Sequence, residues 1–461
     1  MNDGATMHKT ALHVQAEAFS DGATRGAEFL KALPLRRVNA RTDRLDQLDI
    51  ELPEAGIDVE AVLDLMETVG GEGTVASAAG RYFGYVIGGS LPAASAARAL
   101  LSAWDQVADA LTGPSVVRME EAAIRWTIDL LGLPEGTNGA FTTGATMANM
   151  TLLVTARDAL LARLGHARGA GLIGAPELRI VASAEIHATV LKSLRMAGLG
   201  TDRIEWVPVD DQGRMRLDAI PALDARTLVL AQAGNVCTGA FDRFDALGDR
   251  CRAAGAWLHV DGAFGLWARA SEPMKNALQG LEKADSWVVD CHKTLNTPYD
   301  GGLALCRHPN EMEASMAIGA GYLPAAVSNP AMRSPEFSRA ARGAETWAAL
   351  LSLGREGVSL MVRRFHDHAA RIARDLTALG FEVPHQVHFN QVFATLPGAE
   401  DACARIAAHV QSSGEAWFGQ AAWQGRKGFR ISVSNWSTTE ADVDRLLAAI
   451  AKARAEVLAA A

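Results

Sequence analysis

Residues 288–302 read VVDCHKTLNTPYDGG. An apolar run, Trp287 to Val289, ends in Asp290, then Cys291, His292 and Lys293 follow, and a loop with proline and paired glycine comes next. This is the profile of a buried strand that passes straight into polar chemistry. Similar apolar runs occur at LRIVAS (178–183), TLVLAQ (227–232), AWLHV (256–260) and GGLALC (301–306), and helical patterns such as EEAAIRWTIDLLGL (120–133) and ATMANMTLLVTARDALLARL (145–164) precede them. Near-continuous apolar strands separated by loops and helices indicate a parallel sheet covered on both faces.

In open parallel sheets, ligands bind beyond the carboxyl ends of the strands. After LRIVAS comes AEIHATVLKS with His187; after TLVLAQ comes AGNVCTGAFD with Asn235; after AWLHV comes Asp261, then Gly262 and Ala263; after SWVV comes Lys293. One imidazole, one amide, one carboxylate and one lysine therefore gather along one edge. The stretch FTTGATMAN (141–149) is small, contains Gly144 and opens a helix. Its backbone N–H groups can approach an anion, and the helix N-terminus adds partial positive charge. Thr143 and Thr146 can add hydroxyls, although Thr143 also reads as an ordinary cap. A lysine amine can hold an aldehyde as a Schiff base. A carboxylate such as Asp261 can keep a pyridine nitrogen protonated and make the ring an electron sink. His187 can stack on one face of a flat ring, and the small Ala263 allows close approach on the other. Phosphate, aldehyde and pyridinium together describe pyridoxal 5'-phosphate.

Composition narrows the alternatives. The chain has 461 residues, 49% of them apolar and 21% charged, which is ordinary for a globular protein. A net charge of −9 with no long basic run argues against nucleic acid. No apolar stretch approaches the ~20 residues needed to cross a bilayer, so no membrane association is expected. The five cysteines (237, 251, 291, 306 and 403) are odd in number and form no CxxC pair, which argues against a structural zinc site. Together with an N-terminus that lacks the apolar core of a secretory signal, they lead us to expect a cytoplasmic, reducing setting.

The length allows a large core with a smaller companion. Residues 1–57 are expected to form an N-terminal helical segment, with an amphipathic helix over 9–33. Residues 58–325 form the large α/β domain, with helical patterns at 58–70 and 93–112. Residues 326–461 comprise a long helix over 338–378 and a small α+β domain, with strands within 389–396 and 428–434 and helices at 400–412 and 438–459.

The blocks RYFGYVIGGSLPAA (81–94), TTGATMAN (142–149), SAEIHATVLKS (183–193), GNVCTGAFD (234–242), HVDGAFG (259–265), VVDCHKTLNTPYDGG and FRISVSNWSTTEADVDRLL (429–447) occur in one order. In that order and spacing the chain resembles the group II pyridoxal-phosphate-dependent amino acid decarboxylases of the aminotransferase type I fold, which include glutamate, aromatic amino acid and tyrosine decarboxylases. The resemblance runs from about residue 60 to the end. It implies an α/β fold with a mainly parallel seven-stranded sheet, and a homodimer with shared active sites in which the N-terminal helix packs on the partner. By resemblance Lys293 is the Schiff-base lysine, Asp261 the pyridinium partner and His187 the stacking histidine. Gly144, Ala145, Thr146 and His292 correspond to the phosphate contacts. Asn235 stands where some relatives place a threonine on the ring hydroxyl. The implied reaction is decarboxylation of an L-amino acid through a quinonoid intermediate.

Two features bear on the reaction. Several relatives carry a tyrosine in a loop after the lysine that protonates the intermediate. Here residues 323–343 hold no tyrosine, and Tyr322 only precedes them. The donor can be His187, Lys293 or a tyrosine from a neighbouring subunit. Arg430 resembles the arginine that binds a substrate carboxylate in glutamate decarboxylases, and it can equally be a strand arginine paired with Glu440. Phe83, Tyr85 and Ser90 are candidate pocket residues. An aldehyde-lyase resembling sphingosine-phosphate lyase, an aminotransferase and a non-catalytic cofactor-binding homologue remain as alternatives.

Overall fold

The computed structural model describes residues 3–318 and 329–460. The apolar runs become strands β2 (Arg179–Ser183), β4 (Thr227–Gln232), β5 (Trp257–Asp261), β6 (Ser286–Asp290) and β7 (Gly302–Cys306). Two further strands, β1 (Asn138–Thr142) and β3 (Ile204–Val207), complete a seven-stranded sheet in the order β1-β7-β6-β5-β4-β2-β3. From β6 to β3 all neighbours are parallel, while β7 runs antiparallel to both β6 and β1. The mainly parallel seven-stranded α/β sheet is as expected.

Burial explains why these strands read as unbroken apolar runs. Along β4, Leu228 and Leu230 enter one apolar core with Trp257 and Val288, while Val229 and Ala231 enter the core on the opposite face. Successive side chains alternate between faces, so a sheet covered on both sides leaves no polar position. The helix Ala145–Arg163 packs on the first face. On the second, one core continues from the sheet to Phe429 and Val457 near the C-terminus.

A second, antiparallel sheet has the order β8-β10-β9, with β8 (Gln391–Ala394), β9 (Gly419–Trp423) and β10 (Arg426–Ser432). The helices Ala402–Ser413 and Glu440–Ala459 flank it. The latter starts at a capping box in which Thr439 and Asp442 satisfy each other's backbone N–H groups.

Three helices depart from expectation. The one expected over 338–378 spans Gly343–Ala378 and is interrupted at Gly354, whose φ of 61° and ψ of −178° are open to glycine. The helix expected over 93–112 is Pro92–Trp104 and stops at Asp105, whose φ is 47°. The pattern over 58–70 is helical over Val59–Leu65 and then widens into a π turn at Met66–Gly70. The expected boundary near residue 325, residues 323–328 of the loop at 323–343, and Tyr322 lie outside the described residues.

Candidate functional site

β6 ends at Asp290, and Lys293 lies three residues on. The Lys293 Nζ is 2.9 Å from Asp290 Oδ2, and His292 Nε2 is 3.6 Å from the same oxygen. Asp290 is 1% exposed, and among the described residues its Oδ1 has no hydrogen-bond partner. His292 is held by two contacts: its Nδ1 accepts from Gly301 N–H at 3.1 Å and its ring stacks on Tyr299 at 4.2 Å. With Nδ1 accepting, Nε2 is the atom left to donate. Burial, reinforced by Lys293, lowers the His292 pKa and favours that neutral form.

The turn at 142–146 faces this group. A Cβ on Gly144 would come within 3.1 Å of His292 Cε1, and one on Gly302 within 2.7 Å of both Asp290 Oδ1 and Gly144 Cα. Only glycines permit so close an approach. Gly144 O accepts from Ala148 N–H in the first bond of the helix Ala145–Arg163, and no side chain caps that helix. The N–H groups of Ala145, Thr146 and Met147 are thus left to bind an anion. Thr143 and Thr146 stand half-buried at the same turn.

Asp261, at the end of β5, receives Ala263 N–H on Oδ1 at 3.0 Å and Asn149 Nδ2 on Oδ2 at 3.3 Å. Behind Asn149 runs a buried chain. Asn149 Oδ1 meets His259 Nε2 at 2.8 Å, His259 Nδ1 meets Ser286 Oγ at 2.8 Å, and Trp257 Nε1 donates to Ser286 Oγ at 2.9 Å. Asn149 gives its Nδ2 to Asp261, so its Oδ1 accepts from His259 Nε2; a neutral His259 then accepts at Nδ1 from the Ser286 hydroxyl, which in turn accepts from the indole. Every donor in the chain points toward Asp261. Burial pushes His259 down to about 3, so it is neutral and adds no charge.

His187 caps the helix Ala188–Met196, with Nδ1 accepting from Thr189 N–H at 3.3 Å and meeting Thr189 Oγ1 at 2.7 Å. Among the described residues its Nε2 has no hydrogen-bond partner. Desolvation, with Lys293 and Arg430 nearby, lowers its pKa. His187, Asp261, Ala263, Lys293, Arg430 and Tyr85 line one cavity. Arg430 donates Nη1 to Val236 O at 2.9 Å. Glu440, its expected alternative partner, instead engages Arg371 and His368. Among the described residues Arg430 forms no ion pair.

Other residues fall elsewhere. Asn235 is fully buried beneath its loop: Nδ2 donates to Glu185 Oε2 at 2.6 Å and Gly213 O at 3.2 Å, and Oδ1 accepts from the N–H groups of Cys237 and Thr238. Its amide is committed there and does not face the ring position expected for it. Phe83 is 1% exposed and belongs to the core. Ser90 meets Trp436 Nε1 through its carbonyl and does not line the cavity. Gln232, at the end of β4, does line it and escaped the sequence reading because it ends an apolar run. Asn149 and His259 escaped for the same reason, lying inside a helix and a strand.

The residues present fit pyridoxal phosphate. The uncapped helix start and His292 would hold its phosphate, Lys293 its aldehyde carbon and Asp261 its ring nitrogen, while His187 and Ala263 would enclose the ring. Comparison with known proteins agrees. The chain is 30% identical to an L-2,4-diaminobutyrate decarboxylase of Rhizobium meliloti, over 79% of this chain and 74% of the relative. It is 31% identical to the cysteine sulfinic acid decarboxylase of Mus musculus over 54% of this chain, about half of that protein's length. In fold it is similar to the crystal structure of Oryza sativa TDC with PLP and tryptamine (TM-score 0.85, 22% identity, 99% of each chain) and to that of mouse CSAD in apo form (TM-score 0.85, 23% identity, 95% of this chain and 99% of that one). The model of the pyridoxal-dependent decarboxylase conserved domain matches residues 44–395. That match runs from β1 through β8 and takes in every cavity residue except Arg430, and on it the chain belongs to the pyridoxal-dependent decarboxylase family.

Proposed function

We propose that this pyridoxal-phosphate-dependent amino acid decarboxylase acts on an acidic L-amino acid, whose side-chain anion pairs with Arg430. The observation that carries the reading is a half-buried guanidinium on the cavity wall with no acidic partner among the described residues. A cation removed from water requires an anion, and a guanidinium fork matches a carboxylate or sulfinate. If Arg430 held the α-carboxylate instead, it would stabilise the group that must leave, and ground-state stabilisation opposes the reaction.

Bound pyridoxal phosphate supplies the electron sink for the pair left behind when carbon dioxide departs. The chain's own groups do the rest. Asp261 anchors the ring nitrogen, and the donors behind it fix its oxygens. The phosphate is clamped by the helix start and His292. Lys293 holds the cofactor between turnovers. His187 covers the ring face, and its free Nε2 is the atom to carry a proton there; a lowered pKa leaves it neutral near pH 7.

We also infer a homodimer in a reducing, cytoplasmic setting. The helix Asp3–Ala32 exposes Leu12, Phe19 and Leu30, an apolar face suited to a second copy, and the five cysteines are buried and unpaired.

The test is carbon dioxide release from a panel of L-amino acids, with Lys293→Ala as control. Acidic amino acids should be preferred, and Arg430→Gln should raise their KM by about 10- to 100-fold. Preferential turnover of neutral or aromatic amino acids, unchanged in Arg430→Gln, would reject the acidic substrate. Conversion of the spectrum to the pyridoxamine form without gas would mark a transaminase.

A further inference from the structure

We infer that Gln232 contacts the cofactor, donating its side-chain amide to the phenolic oxygen of the pyridoxal ring. The inference rests on pyridoxal phosphate occupying the cavity as described above. Gln232 closes β4, is 4% exposed and lines the cavity, and among the described residues its Nε2 has no hydrogen-bond partner. A buried amide donor without a partner is unfavourable and rare in folded proteins, so this one is placed for a group that the protein does not itself supply. The strand end is fixed: Gln232 N–H donates to Asp242 Oδ2 at 2.8 Å, and Gln232 O accepts from Asp242 N–H at 3.1 Å.

Strand register gives the direction. Gln232 and Asp261 are register partners on adjacent parallel strands, so their side chains emerge on the same face. The phosphate cradle of Gly144, His292 and Gly302 follows β1, follows β6 and opens β7, all on one side of β5. β4 lies on the other side. In pyridoxal phosphate the phosphate arm and the phenolic oxygen flank the aldehyde carbon on opposite sides, and the nitrogen lies across the ring. With the phosphate in its cradle and the nitrogen on Asp261, the edge bearing the phenolic oxygen turns toward β4. Among the described residues Gln232 brings an unpaired amide donor to the end of β4, whereas the amide of Asn235 is spent on its own loop.

A donor at that oxygen stabilises its negative charge and weakens its hold on the proton it shares with the Lys293 nitrogen. The lysine-linked cofactor therefore loses that proton at lower pH than it would without Gln232. The experiment is a pH titration of the visible absorbance of the cofactor-loaded protein. The wild type and Lys293→Ala, titrated first, check the cofactor site independently of Gln232. Gln232→Leu keeps the length without the donor, and its midpoint should move up by about one pH unit, the size of one neutral hydrogen bond. Gln232→Glu keeps size and polarity while replacing the donor with an acceptor, and should shift upward further; it serves the test even if the apolar variant does not fold. Binding gives a second readout. The wild type should prefer pyridoxal phosphate over its 3-deoxy analogue by about tenfold more than Gln232→Leu does. Midpoints that superimpose on the wild type, or an unchanged preference between the two cofactors, would overturn the contact.

Discussion

At the scale of single residues, Asp261 shows how little of its surroundings a site residue needs to change. It accepts from Ala263 N–H on one oxygen and Asn149 Nδ2 on the other, and an asparagine of the same shape keeps one of these bonds and turns its amide nitrogen to the other donor, a local cost of about 1–3 kcal/mol. What it cannot do is present a negative charge to a ring nitrogen. Asp261→Asn should therefore keep its melting temperature within a few degrees of wild type while kcat falls by about 10²- to 10³-fold, as when one preorganised electrostatic partner is removed. Parallel thermal melts and initial rates decide it; a matching loss of stability would mean that Asp261 is chiefly structural. Lys293, His187 and Asp261 were legible in the sequence because a charged or polar group directly after an apolar run is conspicuous. Asn235 was conspicuous in the same way, yet its side chain turns under the loop to meet Glu185 and Gly213. Residue identity gives the chemistry available, and only the backbone of the loop decides where it points.

At the scale of elements, the neutral histidine inside β5 ties strand stability to pH. His259 is fully buried and its pKa falls from 6.5 to about 3 through desolvation. A depressed folded-state pKa means that the unfolded chain binds the extra proton first. The stability contributed by neutral His259 is present above about pH 6.5 and is lost as pH falls from there toward 3, by ~1.4 kcal/mol per pH unit. Urea midpoints measured between pH 7 and pH 4.5 should fall, and His259→Gln should flatten that slope by about this amount even if it lowers stability overall. An unaltered slope in the variant would show that His259 is not the group titrating. The same burial made β5 easy to read in the sequence and its function hard to read. AWLHV passes for an apolar run with one tolerated histidine, and nothing local reveals that this histidine meets Asn149, 110 residues away. β1 and β3 were missed for the opposite reason. NGAFT begins on a turn-forming pair and IEWV is four residues long, so neither rises above its surroundings without the neighbours that pair with it. The break at Gly354 is likewise silent, because a single glycine in a helical pattern is usually tolerated.

At the scale of the whole molecule, the site depends on how the C-terminal sheet is set against the large one, since Arg430 comes from β10, Tyr85 from the segment ahead of β1, and the remaining groups from the strand ends of the large sheet and the loops that follow them. One buried ion pair sits beside β1, where the long helix that runs on to β8 of the small sheet begins. Glu120, on the helix Pro114–Leu130, takes both Arg339 guanidinium nitrogens at 2.8 Å and Gly343 N–H at 3.0 Å, where the long helix begins. Both side chains are 2% exposed. Removing one partner strands a charge in the interior, so Glu120→Gln should cost about 3–5 kcal/mol, a large share of the ~5–15 kcal/mol by which a domain is stable. Replacing both, as in Glu120→Leu with Arg339→Met, removes the stranded charge and should return stability to near that of the wild type. The double variant then separates two roles in a way that neither single variant can. If the pair only stabilises, urea midpoint and kcat recover together. If it sets the angle at which the long helix leaves the sheet, the midpoint recovers and the KM for an acidic substrate does not, because Arg430 is no longer carried to the depth in the cavity that the substrate anion requires. The three converging donors on Glu120, one of them the first N–H of the long helix, favour the second outcome: an apolar pair fills the volume but gives the helix start no fixed point to bond to.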